Sequence, residues 1–471
     1  MPEEPKGPEA PEATDVLVIG GGPAGSTAAA LLARQGFRAT LMEKDRFPRY
    51  HVGESLLPSL LPLLDVMGAR DLIEEHGFVR KTGAFYGWGR EEWSLGFDEP
   101  GRPAAYSFQV IRSEFDHILL RHARSQGADV REGTRVRRIE WDGDRPAAVA
   151  WSSDDGHHGT TAFRFLVDAT GRAGLLGARE LRTRRFHDVF RNVAAWGYWR
   201  GAPPLPCAPA GAIGVFSLRD NGWFWAIPLH DGTLSVGLVT DKGSFNRARQ
   251  RAGSVEVLYR EALAECPRLA RLLEGARPAG DLRVESDYSY VSDRFCGPGY
   301  FLAGDAACFL DPLLSTGVHL AMYSALLGAA SIAGVLRGDV DERGARDFYQ
   351  TAYRHAYERL LLLVSAFYRI HDGRDTYFRT AQTLSHRDQR DLRLHESFLN
   401  VVTGADDLHD AQQDPVEAVH RRLTQPLHGR PSHGLGGHGT SQMLPLPTDP
   451  ARATAGLYLH LEPHPRLRRA T

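Results

Sequence analysis

Four short strings in this chain hold residue types that do chemistry only when they are brought together. The first is Gly20-Gly21-Gly22-Pro23-Ala24-Gly25, a GxGxxG spacing after the apolar run Val16 to Ile19. Gly20 permits a tight turn, Gly22 lets the backbone approach a pyrophosphate, and Gly25 lets the next helix pack on the strand. That helix presents unpaired N–H groups, with Pro23 and Ala24 in its first turn, to an anion. Glu43 and Lys44 end the following strand, where an acidic side chain accepts hydrogen bonds from ribose hydroxyls. The second string is Gly222-Trp223-Phe224-Trp225-Ala226-Ile227-Pro228, which places Trp223 and Trp225 on one face of a strand. The third is Lys81 in Phe78-Val79-Arg80-Lys81-Thr82-Gly83, followed by the aromatic stretch Phe85 to Trp88. A lysine buried among such aromatics would have its ammonium penalised and become a nucleophilic amine. The fourth, Asp311-Pro312-Leu313-Leu314-Ser315-Thr316-Gly317-Val318, opens an apolar segment. Successive N–H groups at Thr316 and Gly317 make an anion nest there.

The elements that must position these strings are legible in outline. Asp15 to Ile19, Ser26 to Gln35 and Phe37 to Met42 read as a βαβ unit. Helical patterns follow over Ser59 to Glu75 and Glu114 to Gln126, and Phe163 to Val167 reads as another buried strand. Between Arg182 and Asp281 the texture turns aromatic and strand-like, over Val193 to Trp199, Ala212 to Ser217, Trp223 to Pro228 and Thr233 to Thr240. A helical stretch follows from Val255 to Leu273. Gly299 to Ala303 returns to the nucleotide-type strand. The expected class is therefore α/β with α+β character. It comprises a Rossmann-like domain in two parts (14–181 and 282–340), an inserted mixed sheet on the substrate side (182–281), a helical region (341–403) and a flexible tail (404–471).

Composition narrows the function classes. In 471 residues, a formal net charge of -2 gives no global field for nucleic acid or an anionic membrane. Cys207, Cys266, Cys296 and Cys308 form neither a CxxC pair nor a metal-ligand spacing, so no metal site is expected and a reducing cytoplasm fits. The segment Met1 to Ala13, rich in Pro and Glu, reads as a disordered lead-in without the features of a signal peptide. Val318 to Leu336 approaches membrane-spanning length, but its Ala, Gly and Ser content points to a buried core helix. The Gly- and His-rich stretch from His428 to Gly439 reads as part of the tail rather than a metal tract.

Further strings carry a family resemblance. Gly304-Asp305 resembles the second FAD motif of the hydroxybenzoate-hydroxylase-like flavoproteins, and Asp168-Ala169-Thr170-Gly171-Arg172 their third. Arg112 resembles the arginine that approaches the flavin chain. Within that group, GWxWxIP and the Lys-x-Gly pattern at Lys81 resemble the flavin-dependent halogenases. The string Phe47 to Pro58, with Arg49, His51, Glu54 and Ser55, resembles their phenol and carrier-protein-dependent type. Tryptophan halogenases carry a glutamate immediately before Ser-Thr-Gly, where this chain has Leu314.

The resemblance implies an FAD cofactor held by these glycines and by Glu43, Lys44, Arg49, Glu54, Ser55, Arg112, Asp168, Gly171, Gly304, Asp305, Pro312, Gly317 and Val318. It implies chloride or bromide at Thr316 and Gly317, a passage past Trp223, Trp225, Ile227 and Pro228, and catalysis by Lys81. No second GxGxxG is visible for NAD(P)H, so reduced FAD is expected from a separate flavin reductase, with an acyl- or peptidyl-carrier protein as a further partner. An aromatic monooxygenase, a geranylgeranyl-type reductase and a non-catalytic flavin-binding protein share the fold and stay open at this point.

Overall fold

The computed structural model describes residues 12–89, 91–97, 105–218, 222–369, 405–412 and 454–469. Two large sheets dominate it. The first has eight strands. Its parallel centre runs Asp129–Arg131, Ala39–Met42, Glu12–Ile19, His158–Asp168 and Tyr300–Leu302 in spatial order, the doubly wound arrangement. Val16, Leu17 and Val18 are fully buried, as strands covered on both faces must be. Two helices of small residues, Pro23–Arg34 and Gly317–Arg337, pack against each other beside this sheet. Ala28, Ala29, Ala325, Ala329 and Ala330 are all buried, and their short side chains let the two backbones approach. Gly317–Arg337 is long and apolar enough to cross a bilayer, yet 94% of its apolar window is buried inside the protein.

The second sheet has nine strands, antiparallel except where Ile213–Ser217 pairs with Gly83–Trp88. The strands expected between 193 and 240 are present, and Gly222–Pro228 lies between Ile213–Ser217 and Thr233–Asp241. However, the sheet also takes in Gly83–Trp88, Glu91–Gly96, Arg283–Ser292 and Cys308–Phe309. It is therefore no single insertion bounded at 182 and 281. Strands from three parts of the sequence complete it, which local patterning cannot reveal.

Most helix boundaries differ from the sequence reading by only a few residues. The reading Ser59 to Glu75 resolves into Leu60–Met67 and Arg70–His76 around a left-handed Gly68, and Val255 to Leu273 is split at Pro267. The C-terminal helix Glu342–Arg369 is observed.

The flexible-tail reading fails where the tail is described, and the lead-in reading fails at Glu12 and Ala13, which belong to the first strand. Ala405–Gln412 is helical, and its Asp407 is buried against His319 and Arg359, at 2.8 and 3.5 Å. The hairpin Leu457–His460 with Arg466–Arg469 buries Leu457, Leu459 and Leu467. Leu457 and Leu459 alternate on one strand and Leu467 faces Leu459 across the hairpin, an apolar face that composition, dominated by Pro and Arg, conceals. The stretch 428–439 lies outside the described residues.

Candidate functional site

The glycine string turns where the first strand ends. Gly20 has φ +106, and a Cβ there would sit 2.3 Å from the Ala169 carbonyl oxygen. A Cβ on Gly25 would sit 1.8 Å from the Gly20 oxygen, so only glycine fits at either position. Gly22 N-caps the helix Pro23–Arg34 with no side-chain cap bond, and the first turn has no acidic residue. Its N–H groups are left for an external anion. Glu43 is buried and accepts from Gly21 N at 2.6 Å and Asp45 N at 2.9 Å, which fixes the loop and leaves acceptor capacity for a ribose.

Two arginines meet at this end. Arg112 binds Asp116 with two nitrogens at 2.8 and 3.0 Å and donates to the carbonyls of Val52 and Gly53 at 2.8 and 3.2 Å. Arg49 lies 3.4 Å from the same Asp116, and its buried Nη1 has no hydrogen-bond partner. Two cations share one carboxylate, so a positive charge remains beside the uncapped helix. A guanidinium nitrogen that ion-pairs but makes no hydrogen bond, an open helix N-terminus and glycines that admit no Cβ together fit the pyrophosphate of a dinucleotide.

A cavity of about 200 Å³ runs from Pro23 and Ala24 past Arg112, Gly304 and Asp305 to the second sheet. Burial raises the Asp305 carboxyl to about 6, against the opposing influence of Arg172, Arg112 and Arg184. Gly171, Pro312, Thr316, Gly317 and Val318 line the cavity, as do Arg49, Glu54 and Ser55. Asp168 does not. Its two oxygens accept from Thr170 N, Thr170 Oγ1 and Leu176 N at 2.6–3.0 Å, so it pins the turn that presents Gly171. Lys44 lies away from the cavity, half-exposed and 3.7 Å from Asp45. Neither side chain lines the cavity, and neither do Glu43, Gly20, Gly22 and Gly25 of the adjoining glycine loop.

The far wall is aromatic. Trp223 and Trp225 are buried, their ring centroids 6.1 Å apart, and Trp196 stands 6.2 Å from Trp225. Trp225 Nε1 donates to Ser235 Oγ at 3.1 Å. Ile227 completes the wall, while Pro228, at the end of the strand, does not line it. Trp196, Tyr50 and Tyr198 were not singled out from sequence, although Trp196 and Tyr198 alternate in an aromatic strand as Trp223 and Trp225 do. Trp196 Nε1 donates to Tyr50 OH at 2.7 Å, Tyr50 OH lies 2.9 Å from Tyr198 OH, and Tyr198 OH donates to Glu54 Oε1 at 2.7 Å. Burial holds the Glu54 carboxyl above its usual range. Burial also lowers His51, beside Arg112, to about 4, so its imidazole is neutral at pH 7.

Ser315 adopts a left-handed conformation, φ +59, and helix bonding begins with Leu320 N to the Thr316 oxygen at 3.0 Å. No side chain caps that helix start, a Cβ on Gly317 would meet nothing, and the Thr316 hydroxyl is buried without a partner. These features suit a small anion. Asp311 accepts from Leu313 N at 3.0 Å and from Asn192 Nδ2 at 2.8 Å, which ties this loop to the second sheet. Leu314 is buried in the core.

Lys81 is 2% exposed at the end of the strand Val79–Lys81. Its Nζ donates to Ser55 Oγ at 2.8 Å and to the Leu56 carbonyl at 3.0 Å, and lies 5.6 Å from the Phe97 ring centroid. Among the described residues no carboxylate is bonded to it. Desolvation lowers its pKa from 10.5 to about 7. Lys81 does not itself line the cavity, but Ser55, which accepts its hydrogen bond, does. The arrangement joins a dinucleotide cradle, an anion nest, an aromatic wall and a half-ionised amine.

Comparison with known proteins shows the family. A sequence model of the tryptophan halogenase family matches residues 15–104 and 96–416. The chain is 48% identical over 427 residues to a tryptophan 2-halogenase of Chondromyces crocatus, covering 88% of this chain and 81% of that one. It is 40% identical over 381 residues to the flavin-dependent halogenase gsfI of Penicillium aethiopicum, covering 76% and 71%. Among solved structures it is similar to the myxobacterial chondrochloren halogenase CndH, described as a variant of FAD-dependent halogenases. The TM-score is 0.71 and the identity 31%, over 84% of this chain and 97% of that one.

Proposed function

The chain belongs to the flavin-dependent halogenase family, and from that premise we propose that it uses reduced FAD, oxygen and chloride to chlorinate an electron-rich ring, a phenol in preference to tryptophan. The observation that carries the chemistry is Lys81: a buried amine with no counter-ion among the described residues, lowered to about 7, one hydrogen bond from the cavity wall.

Residues around the cavity and in the glycine loop beside it suit the cofactor. The glycine loop, helix N-terminus and Arg49 suit the pyrophosphate, Glu43 the ribose, and Asp305 the ribityl chain. Reduced flavin, once bound, supplies the two electrons that convert oxygen and halide into hypohalous acid. The Thr316 and Gly317 N–H groups hold the halide. The wall of Trp196, Trp223 and Trp225 excludes water and channels the oxidant. Near pH 7 a large fraction of Lys81 is the free amine. It takes chlorine from hypochlorous acid as N–H and O–Cl bonds break, N–Cl forms and water leaves. The substrate ring then attacks that chlorine, and the amine recovers a proton from the ring carbon. Fixing chlorine at one atom selects the ring position by proximity.

Leu314 supports the phenol reading, because a phenolic oxygen stabilises the cationic ring without a carboxylate at that position. The identity to a tryptophan 2-halogenase favours an indole as the second reading. In our reading a separate flavin reductase supplies reduced FAD in the cytoplasm, and a carrier protein can present the phenol. The test is reaction with FAD, a flavin reductase, NADH, oxygen and chloride or bromide, on a panel of free phenols and tryptophan, followed by isotope-resolved mass spectrometry. A halogenated phenol supports the first reading. Halogenated tryptophan with untouched phenols overturns it, and gain of oxygen alone overturns halogenation.

A further inference from the structure

Away from the cavity, three side chains distant in sequence bring their donor atoms to one point. His76 closes the helix Arg70–His76, Glu114 lies in the first turn of Arg112–Ser125, and His230 lies in the turn between Gly222–Pro228 and Thr233–Asp241. Glu114 Oε2 is 2.8 Å from His76 Nε2 and 3.1 Å from His230 Nε2. All three atoms lie within 4.8 Å of one another. Phe78 packs on both imidazoles, at centroid distances of 4.3 and 5.2 Å, and the imidazoles meet edge-on at 5.4 Å. The rings are thus oriented by packing as well as by the carboxylate. Nδ1 of His230 is buried and has no hydrogen-bond partner.

We propose that His76, Glu114 and His230 form a site for Zn²⁺ or a similar borderline divalent cation. Two imidazole nitrogens and one carboxylate oxygen are the donor set such ions prefer, whereas Ca²⁺ and Mg²⁺ take oxygen ligands. A tetrahedral ion bound at 2.0–2.2 Å sets its ligand atoms roughly 3.3 Å apart. Both contacts to Glu114 therefore widen by only a few tenths of an ångström on binding. His76 is exposed, so water completes the coordination. None of the three residues lines the cavity, so the role is structural. The ion ties the turn two residues beyond the aromatic wall strand to the helix that begins at Arg112. It thereby clamps the second sheet to the dinucleotide-binding side. Sequence spacing hides this site, because its ligands are far apart in the chain and each comes from a different element.

The test is titration of metal-stripped full-length protein with Co²⁺, read by its visible absorption, and with Zn²⁺, read by calorimetry, for the wild type and for His76→Ala and His230→Ala. The chain has 20 histidines, and binding at the others persists in every variant, so the difference reports this site. One equivalent lost or weakened at least about 10-fold in both variants, together with a Zn²⁺-dependent rise in melting temperature found only in the wild type, is expected. If either variant fails to fold, His76→Gln, at the exposed ligand, gives the same reading. Identical stoichiometry and affinity in the folded variants and the wild type, or no saturable binding, overturns the proposal.

Discussion

Replacing Lys81 with methionine should inactivate the protein and make it more stable. The side chain stays unbranched, one atom shorter, and loses its charge. In the folded chain the amine titrates near 7 rather than 10.5, because burial disfavours the ammonium. That difference corresponds to roughly 5 kcal/mol at and below pH 6, where both folded and unfolded chains carry the proton. Between pH 7 and 10.5 the unfolded chain holds the proton that the folded chain has released. Stability of the wild type therefore rises with pH across that window, and at pH 9 only about 2 kcal/mol of the penalty remains. Against this, Lys81→Met leaves Ser55 Oγ and the Leu56 carbonyl without their donor, at a cost of about 1–3 kcal/mol. The variant should gain about 1–3 kcal/mol at pH 7 and almost nothing at pH 9. Urea denaturation at the two pH values, with m-values compared, reads both. A variant less stable than the wild type at pH 7, or a gain independent of pH, refutes the claim that Lys81 is a desolvated amine.

Further outcomes follow from the same geometry. Gly25→Ala should weaken FAD binding by more than about tenfold or prevent folding, because its Cβ would fall 1.8 Å from the Gly20 oxygen; flavin titration with the folded fraction measured separately checks this. Trp225→Phe loses the bond to Ser235, worth about 1 kcal/mol. It should retain FAD affinity while more hypochlorous acid escapes per turnover, as read with monochlorodimedone. Glu54→Gln should stabilise the protein increasingly as pH rises above the usual carboxylate range. Burial raises the folded carboxyl, so the unfolded chain ionises first and the wild type loses stability with pH; thermal melts from pH 5 to 8 test the trend. Asp407→Ala removes the buried partner of His319 and Arg359 and should cost about 3–5 kcal/mol. A loss below about 1 kcal/mol would mean that the helix Ala405–Gln412 is not docked.

The dinucleotide cradle was legible because each glycine answers a local steric demand, and two of them, Gly20 and Gly25, meet that demand against backbone oxygens. The aromatic strand was legible through its alternation. What stayed hidden depends on contacts across the sequence. The pairing of Arg49 with Asp116, and the link from Glu54 through Tyr198 to Tyr50, join residues tens to more than a hundred positions apart. At Asp168 the motif position fixes a backbone turn without saying whether the side chain faces a ligand. The tail was misread. Its few apolar residues are diluted by Pro, Gly and His, and only pairing into a hairpin aligns Leu457, Leu459 and Leu467.

The central claim is that electrophilic halogen passes through Lys81. The direct measurement is halogen incorporation into a phenol by the wild type and by Lys81→Met under identical supply of reduced FAD, with flavin oxidation and free hypohalous acid recorded in parallel. The account predicts a halogenated phenol from the wild type alone, with flavin oxidation and hypohalous acid formation intact in the variant. Equal incorporation by both proteins would contradict it.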